Sequence, residues 1–189
     1  MRIILIGNYT LDKQESMIRF ANMLEQGFKE AGIQTELWNP IVFFGRAFPS
    51  TKSGIAKWIG YLDKYLVFPL VIKLRLSKKR YQGHDVKFHI CDHSNAPYLK
   101  YLAKDRSGIT CHDVLAIRGA MGFADAYAPA SRFGKVLQNW IFQNLKKAKI
   151  KVEGLIKNGE TIFSNINPIN DNLSHLETYF TNATVSAIQ

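Results

Sequence analysis

At 189 residues, with 47% hydrophobic and 21% charged side chains, the chain suits one folded core, which excludes global disorder. No apolar run reaches the ~20 residues of a membrane-spanning helix, and the N-terminal residues lack the pattern of a cleaved signal. The net charge of +10 is unevenly held: residues 151–189 carry two lysines against four acids, a net of −2, so the first 150 carry +12.

Residues 2–6 form an apolar, β-rich run without alternation, the pattern of a strand buried on both faces. Gly7-Asn8-Tyr9-Thr10 breaks it. Asp12 with Glu15 resembles a capping box, and Met17, Phe20, Ala21, Leu24, Phe28 and Ala31 follow at helical spacing until Gly32 stops the helix. Residues 34–38 read as the next strand, which completes a βαβ opening. Residues 41–53 read as a loop. Residues 55–80 return to helical spacing through Trp58, Leu62, Leu66 and Phe68, then Val71, Ile72, Leu74 and Leu76 beyond Pro69.

Val86–Ile90 is a short strand, Ser94 is placed to cap a helix through Leu102, and Ile109-Thr110 centre a weaker strand. Gly119, Gly122 and Pro129 mark a loop, and Phe133–Lys147 has the spacing of a helix. The alternation predicts an α/β domain over residues 1–150, built on a single doubly wound parallel sheet. Residues 151–189 are rich in Asn, show no period, and read as a poorly specified tail.

Chemistry-bearing residues gather where strands end. The Gly7–Thr10 loop enters a helix whose free N–H groups suit a phosphate or carboxylate, although an ordinary βα turn has the same look. His89 to Asn95 and Thr110 to Asp113 each close an apolar run with Cys, His and Asp, where open α/β sheets place ligands. Cys91, His93, Cys111 and His112 suggest a metal, but no C-x-x-C pair occurs and adjacent Cys111 and His112 face opposite ways on a strand, so no metal site is assigned. A Cys–His nucleophile stands against an inert packed thiol, and ligand-binding histidines stand against histidines that merely hydrogen-bond. Two cysteines make no disulfide framework and fit a reduced, cytoplasmic setting.

Residues 52–80 hold eight cations against Asp63 alone, interleaved with aromatic and aliphatic residues. Lys57, Trp58, Lys64, Lys73, Arg75, Lys78, Lys79 and Arg80 therefore mark a surface for an anionic membrane, with a core-packing helix and its solvated basic face as the alternative. No nucleic-acid module accompanies the charge, and no nucleic-acid partner is expected.

Four segments go further. Gln14-Glu15-Ser16-Met17 with Arg19-Phe20-Ala21, Cys91-Asp92-His93-Ser94-Asn95-Ala96, Thr110 through Arg118, and Gln138-Asn139-Trp140-Ile141 together resemble the N-terminal half of a bacterial family 4 (group 1) glycosyltransferase, over residues 1–149 in order. The resemblance implies one half of a GT-B architecture, two Rossmann-like domains facing across a cleft. It implies transfer of a sugar, with retention, from a nucleoside-diphosphate sugar; together with the basic aromatic segment, the expected acceptor is lipid-linked or a polysaccharide, at the inner membrane face. The nucleotide sugar is a substrate, and no cofactor is implied. Carried over by position, His112 and Asp113 are catalytic, and Gly7, Asn8, Ser16, His93, Ser94, Asn95 and Arg118 bind substrate. The sequence departs from the family in having one glycine in its first loop and no E-x(7)-E motif. The expectation is a unit inactive without a separate donor-binding domain, with a non-catalytic membrane- or partner-binding orphan domain as the alternative.

Overall fold

The computed structural model describes residues 1–112, 115–122, 131–148, 150–157 and 160–165, the last two by their strands alone. Strands β1 (Arg2–Ile6), β2 (Gln34–Trp38), β3 (Val86–Ile90), β4 (Ser107–Cys111), β5 (Ile150–Lys157) and β6 (Glu160–Asn165) form one sheet in the order β2-β1-β3-β4-β5-β6. Every neighbouring pair is parallel except β5 with β6. The sheet is that of a Rossmann-like α/β fold. Residues 150–157 and 160–165, assigned no element from the sequence, extend it. Their pairing supplies order that Asn-rich, aperiodic local sequence does not announce.

The pleat explains why β1 has no polar face. Ile3 and Leu5 pack with Phe20, Ala21, Leu24 and Phe28 of α1 (Glu15–Glu30). Ile4 and Ile6 point the other way, toward α3 (Phe68–Leu76), the 3₁₀ helix His93–Tyr101 and α5 (Arg132–Leu145), while α2 (Gly54–Leu62) leads into α3 along the chain. Both faces are covered, so the sheet is doubly wound.

Several local readings change. Asp12 lies in a 3₁₀ turn and does not cap α1, whose N-cap residue Gln14 makes no side-chain capping bond. The Asp12 carboxylate instead accepts from Thr51 Oγ1 at 2.7 Å and Lys64 Nζ at 2.6 Å. Asp92, rather than Ser94, caps the helix after β3, accepting from the Ser94 backbone N–H. That helix is 3₁₀, and Pro97 inside it supplies no N–H. Residues 44–47 of the expected loop form a 3₁₀ turn, and Gly119 lies within α4 (Leu115–Ala120).

Gly32 does end α1, by a left-handed φ of 73°. Its N–H bonds Lys29 O and the Ile33 N–H bonds Phe28 O, the paired bonds of a Schellman motif. Between α2 and α3 the helix widens into a π turn, Asp63–Val67. Pro69 has no N–H, and its ring would crowd the carbonyl of Tyr65 in a regular α-helix. The Lys64 carbonyl accepts from Tyr98 Oη at 2.9 Å.

Candidate functional site

Because the strands are parallel, Ile6, Trp38, Ile90 and Cys111 end at one edge of the sheet. The chain leaves β1 for the α1 face and leaves β3 for the opposite face. Loops that diverge in this way open a crevice between their strands, the switch point at which α/β sheets bind ligands. A cleft of ≈ 260 Å³ opens here. Asn8, Gln14, Ser94 and Asn95 form its polar floor, Lys52, Lys57, Tyr61, Lys64 and Tyr65 one wall, and Leu137, Gln138 and Ile141 of α5 the other.

Asp92 organises the floor. Its carboxylate accepts from Asn8 Nδ2 at 2.6 Å, Ser94 Oγ at 2.6 Å and the Ser94 N–H at 3.2 Å, and lies 3.1 Å from His93 Nδ1. Burial opposes its charge, but these hydrogen bonds and the His93 imidazole outweigh burial and hold the carboxyl well below the usual carboxylate range. Asn95 Nδ2 donates to Asn8 Oδ1 at 2.7 Å and to Gly7 O at 3.3 Å. Asn8 Nδ2 also reaches Gln14 Oε1 at 2.5 Å. The loops after β1 and β3 are thus joined across the switch point by side-chain amides.

On the wall, Lys64 Nζ pairs with Asp12 and lies 4.8 Å from the Tyr61 ring centroid, 5.9 Å from that of Tyr9 and 6.0 Å from that of Tyr65. This cage neutralises and holds Lys64. Lys52 and Lys57 are exposed at the rim, and among the described residues neither forms an ion pair. They are the charges a ligand anion would meet first.

Of the residues named from the sequence, Asn8, Ser94, Asn95, Lys57 and Lys64 converge on the cleft. Gly7 is buried beneath it, with its N–H bonded to Trp38 O at 3.1 Å rather than turned to a ligand. A Cβ there would stand 2.1 Å from Asn39 Oδ1, so close packing accounts for the glycine. His93 is buried against Asp92. Ser16 is exposed in the first turn of α1 and Arg118 is half-buried in α4, and neither lines the cleft. His112 sits at the end of β4, its Nε2 2.9 Å from Cys91 O and its ring edge-on to Phe20 at 4.6 Å. Asp113 lies outside the described residues.

Burial and the nearby Asp92 charge push the Cys91 thiol up, so it stays protonated and is not poised as a nucleophile. Burial, with the charge of His112, lowers His89 to about 3, and its neutral ring meets Thr110 Oγ1 at 2.8 Å. The cations of the basic segment are divided between two places. Lys57 and Lys64 face the cleft, whereas Arg75, Lys78 and Arg80 lie beside edge strand β2. There Arg75 covers Trp38 at 4.8 Å and Arg80 covers Tyr81 at 4.6 Å.

Sequence reasoning missed Asp92 as the organiser, together with Lys52, Tyr61, Tyr65 and Gln138. Lys57, Tyr61, Lys64 and Tyr65 recur at helical spacing, which was a visible signal for one shared face. Compared with protein-family models, curated proteins and solved structures, the chain finds no match. A function must therefore be argued from the site.

Proposed function

We propose that the chain is the acceptor-side unit of a GT-B glycosyltransferase, serving transfer from a nucleoside-diphosphate sugar to a lipid-linked or polysaccharide acceptor. The observation that supports this most is the composition of the switch-point cleft. Amides and a hydroxyl from Asn8, Gln14, Ser94, Asn95 and Gln138 suit a ligand rich in hydroxyl groups. Tyr61 and Tyr65 offer aromatic surface, and Lys52 and Lys57 offer charge for a phosphate.

In this reading a donor-binding domain faces the cleft from the β4 side. The bond from the anomeric carbon to the nucleoside diphosphate breaks, the acceptor hydroxyl oxygen bonds that carbon, and the hydroxyl proton passes to the departing diphosphate oxygen. By the family resemblance His112, whose Nε2 meets the Cys91 carbonyl, is the residue that contacts the transferred sugar, with Asp113 assigned to orient it or the local backbone. The diphosphate leaves with the electron pair and is stabilised by positive groups.

Fluorescence titration of the purified chain with a short-chain prenyl-diphosphate monosaccharide tests the proposal, because Trp58 lies 5.9 Å from Tyr61 of the cleft wall. Saturable binding is expected, weakened about fivefold by Lys57→Gln and more by Asn95→Leu, as for loss of one charge or one buried polar contact. If neither this probe nor a nucleoside-diphosphate sugar binds, the reading fails.

A further inference from the structure

The continuous helical segment 54–76 exposes a stripe that nothing in the core needs. Ile55, Trp58, Leu62, Leu66, Leu70 and Leu74 all stand open to solvent, Leu66 at 56% and Leu74 at 69%. At about 100° per residue in a regular α-helix, Leu74 would lie about 100° around the axis from Ile55. The wide turn at Asp63–Val67 absorbs about one residue and cancels that drift. The six side chains therefore share one face along about 30 Å. Beside it, Phe43 and Phe44 project as a T-shaped pair with ring centroids 4.8 Å apart. Asp63 clamps that loop to the helix through the N–H groups of Phe43, Phe44 and Gly45.

The charge pattern selects the occupant. Residues 41–80 contain nine cations and one acid. The acid, Asp63, is fully buried, so this stretch shows solvent no negative charge. Arg46 is exposed over the Phe43 ring at 5.2 Å, and Lys73 is exposed on α3 between Leu70 and Leu74 of the stripe. A second copy of the chain would bring the same positive border against itself, which costs energy. A nucleic acid would leave the leucines uncovered. An anionic bilayer satisfies both features, with hydrocarbon for the stripe and headgroup charge for its border. No helix among the described residues is long and apolar enough to cross a membrane, so the segment lies along the surface.

We infer that the 54–76 helix and the Phe43–Phe44 prong form an interfacial dock for an anionic membrane. Lys57 on the cleft rim and Trp58 on the stripe are neighbours on α2, so docking sets the cleft mouth at headgroup level. The inference stands apart from sugar transfer, since vesicles free of saccharide test it.

The test is co-sedimentation of the intact chain with phosphatidylcholine vesicles, with and without phosphatidylglycerol, alongside light scattering of the free chain. The expected result is pelleting with the anionic vesicles only, reduced by salt. Leu66→Glu with Leu70→Glu should raise the lipid concentration for half-binding at least about tenfold, with an unchanged circular dichroism spectrum. Lys73→Gln and Arg46→Gln should each raise it about fivefold. Quenching of Trp58 by bromine-labelled lipid reports insertion in the unmutated chain and does not depend on any variant folding. Absence of pelleting and of quenching overturns the inference. So does equal pelleting with neutral vesicles, or a dimer that Leu66→Glu converts to monomer, which would make a second copy the occupant.

Discussion

Asp63→Asn is the substitution with the most legible consequence, because a single buried carboxylate holds three segments together. Its Oδ2 accepts from Tyr9 Oη at 2.7 Å, Phe43 N–H at 3.0 Å and Gly45 N–H at 2.9 Å, and its Oδ1 accepts from Phe44 N–H at 2.9 Å. An asparagine can keep the first set on its carbonyl oxygen, but its NH₂ then confronts the Phe44 N–H donor to donor. Orphaning that N–H costs about 1–3 kcal/mol, and loss of charge from the other three bonds adds about 1 kcal/mol each. The 43–44 loop is exposed and can relax, so the net expectation is about 2–4 kcal/mol.

Urea unfolding followed by tryptophan fluorescence, with the slope checked for constancy, measures the loss. The pH dependence supplies an independent reading. Burial works against the Asp63 charge, but bonds from Tyr9 and the three N–H groups hold the carboxyl below its ordinary value. A carboxyl lowered on folding stabilises above the unfolded value of about 3.9, and that contribution is lost as pH falls through the folded one. The acid-induced loss should therefore be smaller in the asparagine variant. A stability change within about 0.5 kcal/mol, the scale of an ordinary surface substitution, would refute the reasoning.

Gly7→Ala should cost about 1–2 kcal/mol through its contact with Asn39, and Asn39→Ala in the same chain should recover part of that; strict additivity in the double mutant would count against the contact. Gly32→Ala should lower stability by about 1 kcal/mol, because an L side chain is strained at φ 73°, and an unchanged urea midpoint would exclude that strain. Since His89 folds with its value depressed to about 3, the unfolded chain takes up its proton first as pH falls below about 6.5. Stability should accordingly decline from there toward pH 4, and His89→Gln should flatten that decline; an equal slope in the variant would assign it to other groups.

Much of the architecture was legible because it is periodic. Arg2–Ile6 reads as a two-faced strand from five residues, and Phe20, Leu24 and Phe28 mark the buried face of α1 by spacing alone. The strand-end clusters were also legible, since polar residues closing an apolar run have few places to go. Signals that depend on a distant partner misled. Asp12 followed by Glu15 looks like a cap, but Thr51 and Lys64 claim its carboxylate from 39 and 52 residues away. The basic segment looks like one patch, but the turn of the helix sends Lys57 to the cleft and Arg75 to the edge strand.

The sequence by itself determined the alternation of strand and helix, the positive character of the first 150 residues and the placing of Asn8, Ser94 and Asn95 at strand ends. All of these follow from local spacing and composition. Only the tertiary structure decided that Asp92 binds the β1 and β3 loops into one floor and that Asp63 points inward. It alone decided that a π turn brings six apolar side chains onto one exposed face. The physical reason is the same for both carboxylates: each goes where donors stabilise its charge, and those donors come together only when distant segments pack.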